Sequence, residues 1–158
     1  MKDSLRTGVS FGLTSAVITT LGLMIGLHSG THSRIVVLSG ILTIAIADAF
    51  SDALGIHISE ESENTHTVLQ IWVATIATFL SKLLFTMTFV VPVFLLSLNM
   101  AIIISLIWGL SILSIMSYIL AKLQGEPPWK IIGEHLAIAL VVIVATHSVG
   151  CWIKTMCG

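Results

Sequence analysis

Charged side chains are scarce in this chain, and that shortage sets the first limit on its class. Asp, Glu, Lys and Arg make up 9% of the 158 residues, whereas about 25% is usual in soluble domains. Hydrophobic residues make up 56%, and the mean hydropathy is +1.05. This composition excludes an ordinary soluble domain and predicts an integral membrane protein, with one transmembrane domain filling residues 1–158.

Three further shortages exclude other classes. The formal net charge is -1, whereas a protein that binds nucleic acid usually carries an excess of basic residues on one face, so we set that class aside. The two cysteines, Cys151 and Cys157, are not in CxxC spacing, so they indicate neither a zinc site nor a disulfide framework, and we interpret them as plain thiols. No serine, cysteine and histidine set has a known catalytic spacing, and no cofactor loop occurs, so we expect neither an enzyme nor a bound cofactor.

Long apolar runs are abundant, and each approaches or exceeds the roughly 20 residues that a membrane-spanning helix needs. The breaks between them include HSGTHSR, SLN and the two-proline segment QGEPPWK. The first run is longer than the roughly 7–15 residue core of a signal peptide, so we interpret it as a retained helix. We predict an all-α membrane protein with five transmembrane helices over residues 8–27, 35–58, 67–94, 100–123 and 131–152.

Lysine and arginine in the loops predict the orientation, because cytoplasmic loops carry an excess of these residues. A cytoplasmic N-terminus assigns four of them to the inner side: Lys2, Arg6, Lys122 and Lys130. It leaves Arg34 and Lys154 outside. We therefore expect a multi-pass protein with its N-terminus in the cytoplasm.

Two aspartates interrupt the second apolar run near its middle. On a helix, Asp48 and Asp52 lie one turn apart. The same helix face continues as a polar lane through Gly55, Ser59 and Glu63. Each aspartate costs about 2.5–3.5 kcal/mol on insertion scales, and the two carboxylates repel each other. A metal ion, a shared proton or a basic neighbour would relieve that repulsion.

Lys82, in the third run, is the available basic neighbour, and a structural pair with Asp48 is one reading of the site. Ionisable groups inside a membrane are functional by default, so we favour a cation or proton pathway. Four residues at the inner end of the second run offer oxygen and imidazole ligands suited to Mn²⁺ or Fe²⁺: His57, Glu60, Glu61 and His66. A solvated helix end explains them equally well. The sequence leaves the roles of four other histidines open: His28, His32, His135 and His147.

Small residues recur at four-residue steps in the first run, at Gly8, Gly12, Gly22 and Gly26. This pattern lets two membrane helices approach closely. It predicts a helix-packing face or a dimerisation face.

The second run resembles the signature of the vacuolar iron transporter family, which is roughly A-D-A-x-S-M-A-x-G-E-Y-x-S-x-x-S-E. The matching positions are Ala47, Asp48, Ala49, Ser51, Ala53, Gly55, Ser59, Ser62 and Glu63. The first run is similar to the family's first-helix pattern through Gly12, Val17, Thr19, Thr20, Leu23 and Gly26. The resemblance implies a homodimer of five-helix protomers in the cell membrane or a vacuolar-type membrane. Its implied activity is to move Fe²⁺ or Mn²⁺ out of the cytoplasm in exchange for protons.

The ligand set departs from the family pattern. A metal-binding aspartate of the family falls on Ser15, a methionine falls on Asp52, and a glutamate–tyrosine pair falls on Ile56 and His57. Exchanging a thioether for a carboxylate shifts the preference toward harder ions such as Mn²⁺, or toward protons. The long acidic cytoplasmic helices that many family members carry after the second helix are missing, so we expect weaker capture of metal.

Our leading hypothesis is therefore a divalent metal transporter. Asp48 and Asp52 would form the cation or proton site, and Ser15 and Thr19 would line the opposite wall. The inner carboxylates that would collect ions are Glu60, Glu61 and Glu63. The alternative is a non-transporting membrane scaffold or metal sensor in which the aspartate–lysine pair is structural.

Overall fold

Helices dominate the chain, and the computed structural model describes residues 1–157. The helices are α1 (Lys2–Thr31), α2 (Arg34–Ser62), α3 (Val68–Thr88), α4 (Val90–Leu95), α5 (Leu98–Gln124) and α6 (Pro128–Cys157). With α3 and α4 taken as one segment, Val68–Leu95, five helices are long and apolar enough to cross a membrane. The protein is thus a multi-pass membrane protein of the predicted all-α class.

The helix ends explain where the polar breaks occur. The side chain of Ser33 accepts a hydrogen bond from the Val36 amide and caps α2. Thr67 and Gln70 cap each other's backbone at the start of α3. Pro128 opens α6, where its missing N–H costs nothing. Most helices extend beyond the predicted spans, because backbone hydrogen bonding continues past the last apolar residue.

The third span is interrupted at Phe89, between α3 and α4. Its amide donates to the Thr86 carbonyl over 3.1 Å, a tighter turn than an α-helix makes. Pro92 has no N–H to offer the carbonyl four residues earlier, so the regular ladder fails here. The fully buried ring of Phe89 fills the bend.

Successive spans alternate in direction, so the bundle has two ends. The N-terminal end carries the start of α1, the α2–α3 turn and the α5–α6 turn, and the C-terminal end carries the α1–α2 turn, the α4–α5 turn and the end of α6. Large apolar side chains such as Phe50, Ile107 and Val141 are exposed on the outside of the bundle, as contact with lipid requires.

Helix α1 is the centre of the bundle, and its glycines allow two neighbours to approach closely. A Cβ added at Gly12 would lie 2.5 Å from the Thr78 carbonyl oxygen of α3. A Cβ added at Gly26 would lie 3.3 Å from the Thr146 carbonyl oxygen of α6. The predicted small-residue pattern therefore serves helix packing within the chain, on two different faces of α1.

Candidate ion site at the centre of the bundle

Lys82 forms the centre of a charged cluster halfway along the spans. Its side chain is fully buried (0% exposed), and its Nζ lies 2.5 Å from Asp48 Oδ2 and 2.6 Å from Asp52 Oδ2. The same Nζ donates a hydrogen bond to Ser15 Oγ over 2.7 Å. An ammonium has three N–H donors, so these three acceptors use its full capacity. The basic neighbour considered from the sequence thus contacts both aspartates.

Three helices bring these side chains together. The four-residue step in α2 aligns Asp48 and Asp52 on one flank, as the sequence predicts. Their neighbours Ala49 and Ala53 are buried and small, which lets α3 pack against α2. Gly12, almost one turn before Ser15, brings the backbone of α1 against α3. Ser15 can therefore reach the lysine despite its short side chain.

The cluster carries unequal charge. Two carboxylates and one ammonium give it a net charge of -1 when all three are ionised. The side chain of Asp48 is 30% exposed and that of Asp52 is 17% exposed, whereas Lys82 is enclosed. The carboxylates therefore form the accessible side of the cluster, toward the outer surface of α2. Such a site can attract a further cation or take up a proton.

The remaining members of the predicted pathway lie beside the cluster and beyond it. Thr19 donates its hydroxyl to the Ser15 carbonyl over 2.9 Å, so its hydroxyl hydrogen is engaged in the helix backbone. Gly55 and Ser59 are exposed on α2, between the cluster and the N-terminal end of the bundle. A Cβ at Gly55 would meet no other atom of residues 1–157 within 4 Å. The polar lane is thus an open surface of the single chain.

The acidic end of α2 divides into two groups. Glu60 is nearly buried, and His66 Nε2 lies 3.6 Å from Glu60 Oε2 and 3.3 Å from Glu63 Oε2. Glu61 is exposed. The Nδ1 of His57 is hydrogen-bonded instead to Thr75 Oγ1 of α3 over 3.0 Å. The histidine that joins the glutamates is therefore His66.

No group of three or more His, Cys, Asp or Glu side chains within residues 1–157 is arranged to hold a metal ion without rearrangement. At the central cluster, the lysine ammonium lies between the two carboxylates. Sequence reasoning missed this second contact of Lys82 and its hydrogen bond to Ser15. The signal available was that Lys82 is the one charged residue in the third run.

Three of the four histidines with open roles have a hydrogen-bond partner. His28 Nε2 bonds Asn99 Oδ1 (3.0 Å), His135 Nδ1 bonds Ser117 Oγ (2.7 Å) and His147 Nδ1 bonds Ser29 Oγ (2.6 Å). His28 and His32 stack, with ring centroids 5.1 Å apart. His135 thus ties α6 to α5 inside the bundle, and His147 ties α6 to α1.

No family model, no curated protein and no solved structure matches the chain. The resemblance to vacuolar iron transporters therefore depends on the helix motifs alone.

Proposed function

We propose that this protein is a proton-coupled transporter of divalent metal ions, with Mn²⁺ or Fe²⁺ as its substrate. The observation that carries the proposal is the contact of buried Lys82 with two partly exposed carboxylates at mid-span. Ionisable groups at this depth are costly and commonly form ion or proton pathways. The motif resemblance in α2 supports the choice of substrate.

The lysine acts as a tethered competitor of the substrate. With Lys82 protonated, a divalent ion would change the net charge of the cluster from -1 to +1. If the ammonium also gives up its proton, the same binding event leaves the cluster neutral. Low-dielectric surroundings favour the neutral outcome. Metal binding therefore couples to proton release from the site.

The donors that remain are oxygen atoms. Once the ammonium is displaced, Asp48, Asp52 and the Ser15 hydroxyl face one another across α1 and α2. Carboxylate and hydroxyl oxygens are better ligands for Mn²⁺ than for thiophilic metal ions. We therefore expect Mn²⁺ to be transported in preference to Zn²⁺ or Cu⁺.

We also propose that a second copy of the chain packs on the outer face of α2. Asp48 is 30% exposed at a depth where lipid tails would otherwise contact it. Beside it, α2 exposes small residues at four-residue steps: Ala47, Ser51, Gly55 and Ser59. A second copy of α2 can approach closely along such a stripe and shield the carboxylate.

Uptake of Mn²⁺ into proteoliposomes across an imposed pH gradient tests the function. Asp52→Asn keeps the size of the side chain and removes its charge, so we expect uptake to fall at least about tenfold. Asp3→Asn is the matched control, because Asp3 lies in an exposed pair with Arg6 at the N-terminus. Equal uptake by the parent and Asp52→Asn would remove Asp52 from the mechanism.

A structural role is the second candidate, and the full use of the ammonium's three donors favours it. Replacing a buried ion cluster by apolar residues of similar volume is often neutral or stabilising. The combination of Asp48→Leu, Asp52→Leu and Lys82→Met should then fold as well as the parent. A parent protein that carries no metal, together with such a stable triple variant, would favour the structural role.

A further inference from the structure

A second cluster of metal-ligating side chains lies far from Lys82, at the C-terminal end of the bundle. A cavity of about 550 Å³ is lined by the last turns of α1 and α6. Its lining residues are His28, Ser29, His32, His147, Cys151, Lys154 and Thr155. Three imidazoles and a thiol thus face one space.

His147 and Cys151 are spaced as two ligands of one metal ion. They lie one turn apart on α6, and His147 Nε2 is 3.7 Å from Cys151 Sγ. Typical Zn–S and Zn–N bonds of about 2.3 and 2.05 Å, at a tetrahedral angle, separate the two ligand atoms by about 3.6 Å. The separation of the two atoms therefore matches that of two ligands bound to one ion.

Hydrogen bonds leave the ring nitrogens available for such an ion. His147 Nδ1 bonds Ser29 Oγ over 2.6 Å, which leaves Nε2 facing the cysteine. His28 Nε2 bonds the acceptor Asn99 Oδ1 over 3.0 Å, so its Nδ1 carries the lone pair. Metal-binding histidines usually have their second nitrogen fixed, as the hydrogen bond to Ser29 fixes His147.

The electrostatic surroundings favour a cation over an anion at the ligand pair. The C-terminal turn of α1 lies at this cavity, and its carbonyls carry partial negative charge. The opposing charge is Lys154, in the last turn of α6. It lies on a long flexible side chain and can turn toward water.

We propose that His147 and Cys151 form half of a binding site for Zn²⁺ or a similar thiophilic metal ion, which His28 and His32 complete by side-chain rotation across the cavity. Cys151 binds as the thiolate, and its proton passes to solvent. This site differs from the central cluster in its nitrogen and sulfur ligands, and it does not depend on the proposed transport. It also revises the interpretation of Cys151 as a plain thiol.

Co²⁺ replaces Zn²⁺ at such sites and gives a thiolate-to-metal charge-transfer band, so it is the first probe. The purified full chain should show this band on Co²⁺ addition and lose it when Zn²⁺ is added. Cys151→Ser should abolish the band, whereas Cys157→Ser, which alters the cysteine outside the cavity, should keep it. Ser29→Ala should weaken Co²⁺ affinity by about 10-fold or more, since it removes the hydrogen bond that orients His147.

Alkylation of the parent thiol provides a measurement that needs no variant at the site itself. In a Cys157→Ser background, Zn²⁺ should slow the reaction of Cys151 with maleimide at least about tenfold, because the bound thiolate is shielded. Asp52→Asn should leave both results unchanged. An unchanged alkylation rate with Zn²⁺, or a cobalt band that survives Cys151→Ser, would overturn the proposal.

Discussion

Lys82→Met removes the positive charge that holds two carboxylates inside the bundle, and the structure gives the size of the effect. Breaking a buried ion pair by deleting one partner costs about 3–5 kcal/mol. Carboxylates one helical turn apart, at an effective dielectric constant near 20, repel by about 3 kcal/mol. This repulsion, which Lys82→Met leaves uncompensated, matches the lower end of that range. We expect the free energy of unfolding to fall by about 3 kcal/mol.

The assay is reversible unfolding in mixed detergent micelles, followed by the fluorescence of the four tryptophans. Adding Asp48→Asn to Lys82→Met should restore more than half of the loss, because one of the two unpaired charges is gone. Lys130→Met is the control, since Lys130 is exposed in the first turn of α6. A loss below about 1 kcal/mol in Lys82→Met, or no recovery on adding Asp48→Asn, would refute the electrostatic account.

Three further predictions concern packing and assembly. Gly12→Val should lower the free energy of unfolding by at least about 2 kcal/mol, because its Cβ would overlap α3, whereas Gly133→Ala, whose Cβ would meet nothing within 4 Å, should not lower it in the same assay. Leu113→Ala opens a cavity in the core at an expected cost of about 1–3 kcal/mol, less than in water because lipid is itself apolar; a cost near zero would place Leu113 outside the core. Ser51→Cys, in a chain whose native cysteines are replaced by serine, should form a crosslinked dimer in bilayers, and Ile107→Cys on α5 should not; equal crosslinking would contradict the α2 interface.

The number of spans could be predicted from the sequence because apolar length alone determines it. The ends of the helices could not be predicted in this way, since backbone hydrogen bonding extends α1 back to Lys2 and α6 on to Cys157. The bend at Phe89 could not be predicted either, although Pro92 indicates that helical hydrogen bonding is interrupted somewhere in the third span. Hydropathy does not report such a local change of hydrogen bonding.

Residues on one helix could be related to each other, and residues on different helices could not. The four-residue step fixes Asp48 and Asp52 on one flank of α2. The contact of Lys82 with both depends on the depth and rotation of α3, and no local pattern encodes either. His57 shows the same limit, because its position near Glu60 in the chain suggests a shared site while Thr75 of α3 is its hydrogen-bond partner.

Simultaneous measurement of Mn²⁺ uptake and proton movement tests whether metal transport through the site at Asp52 is coupled to protons. Proteoliposomes containing a pH-sensitive dye, with no imposed gradient, receive external Mn²⁺. Mn²⁺ uptake should drive protons out of the vesicles through the parent protein, and Asp52→Asn should abolish both fluxes. Mn²⁺ uptake without proton movement, or equal proton movement in the parent and Asp52→Asn, would contradict proton-coupled transport at this site.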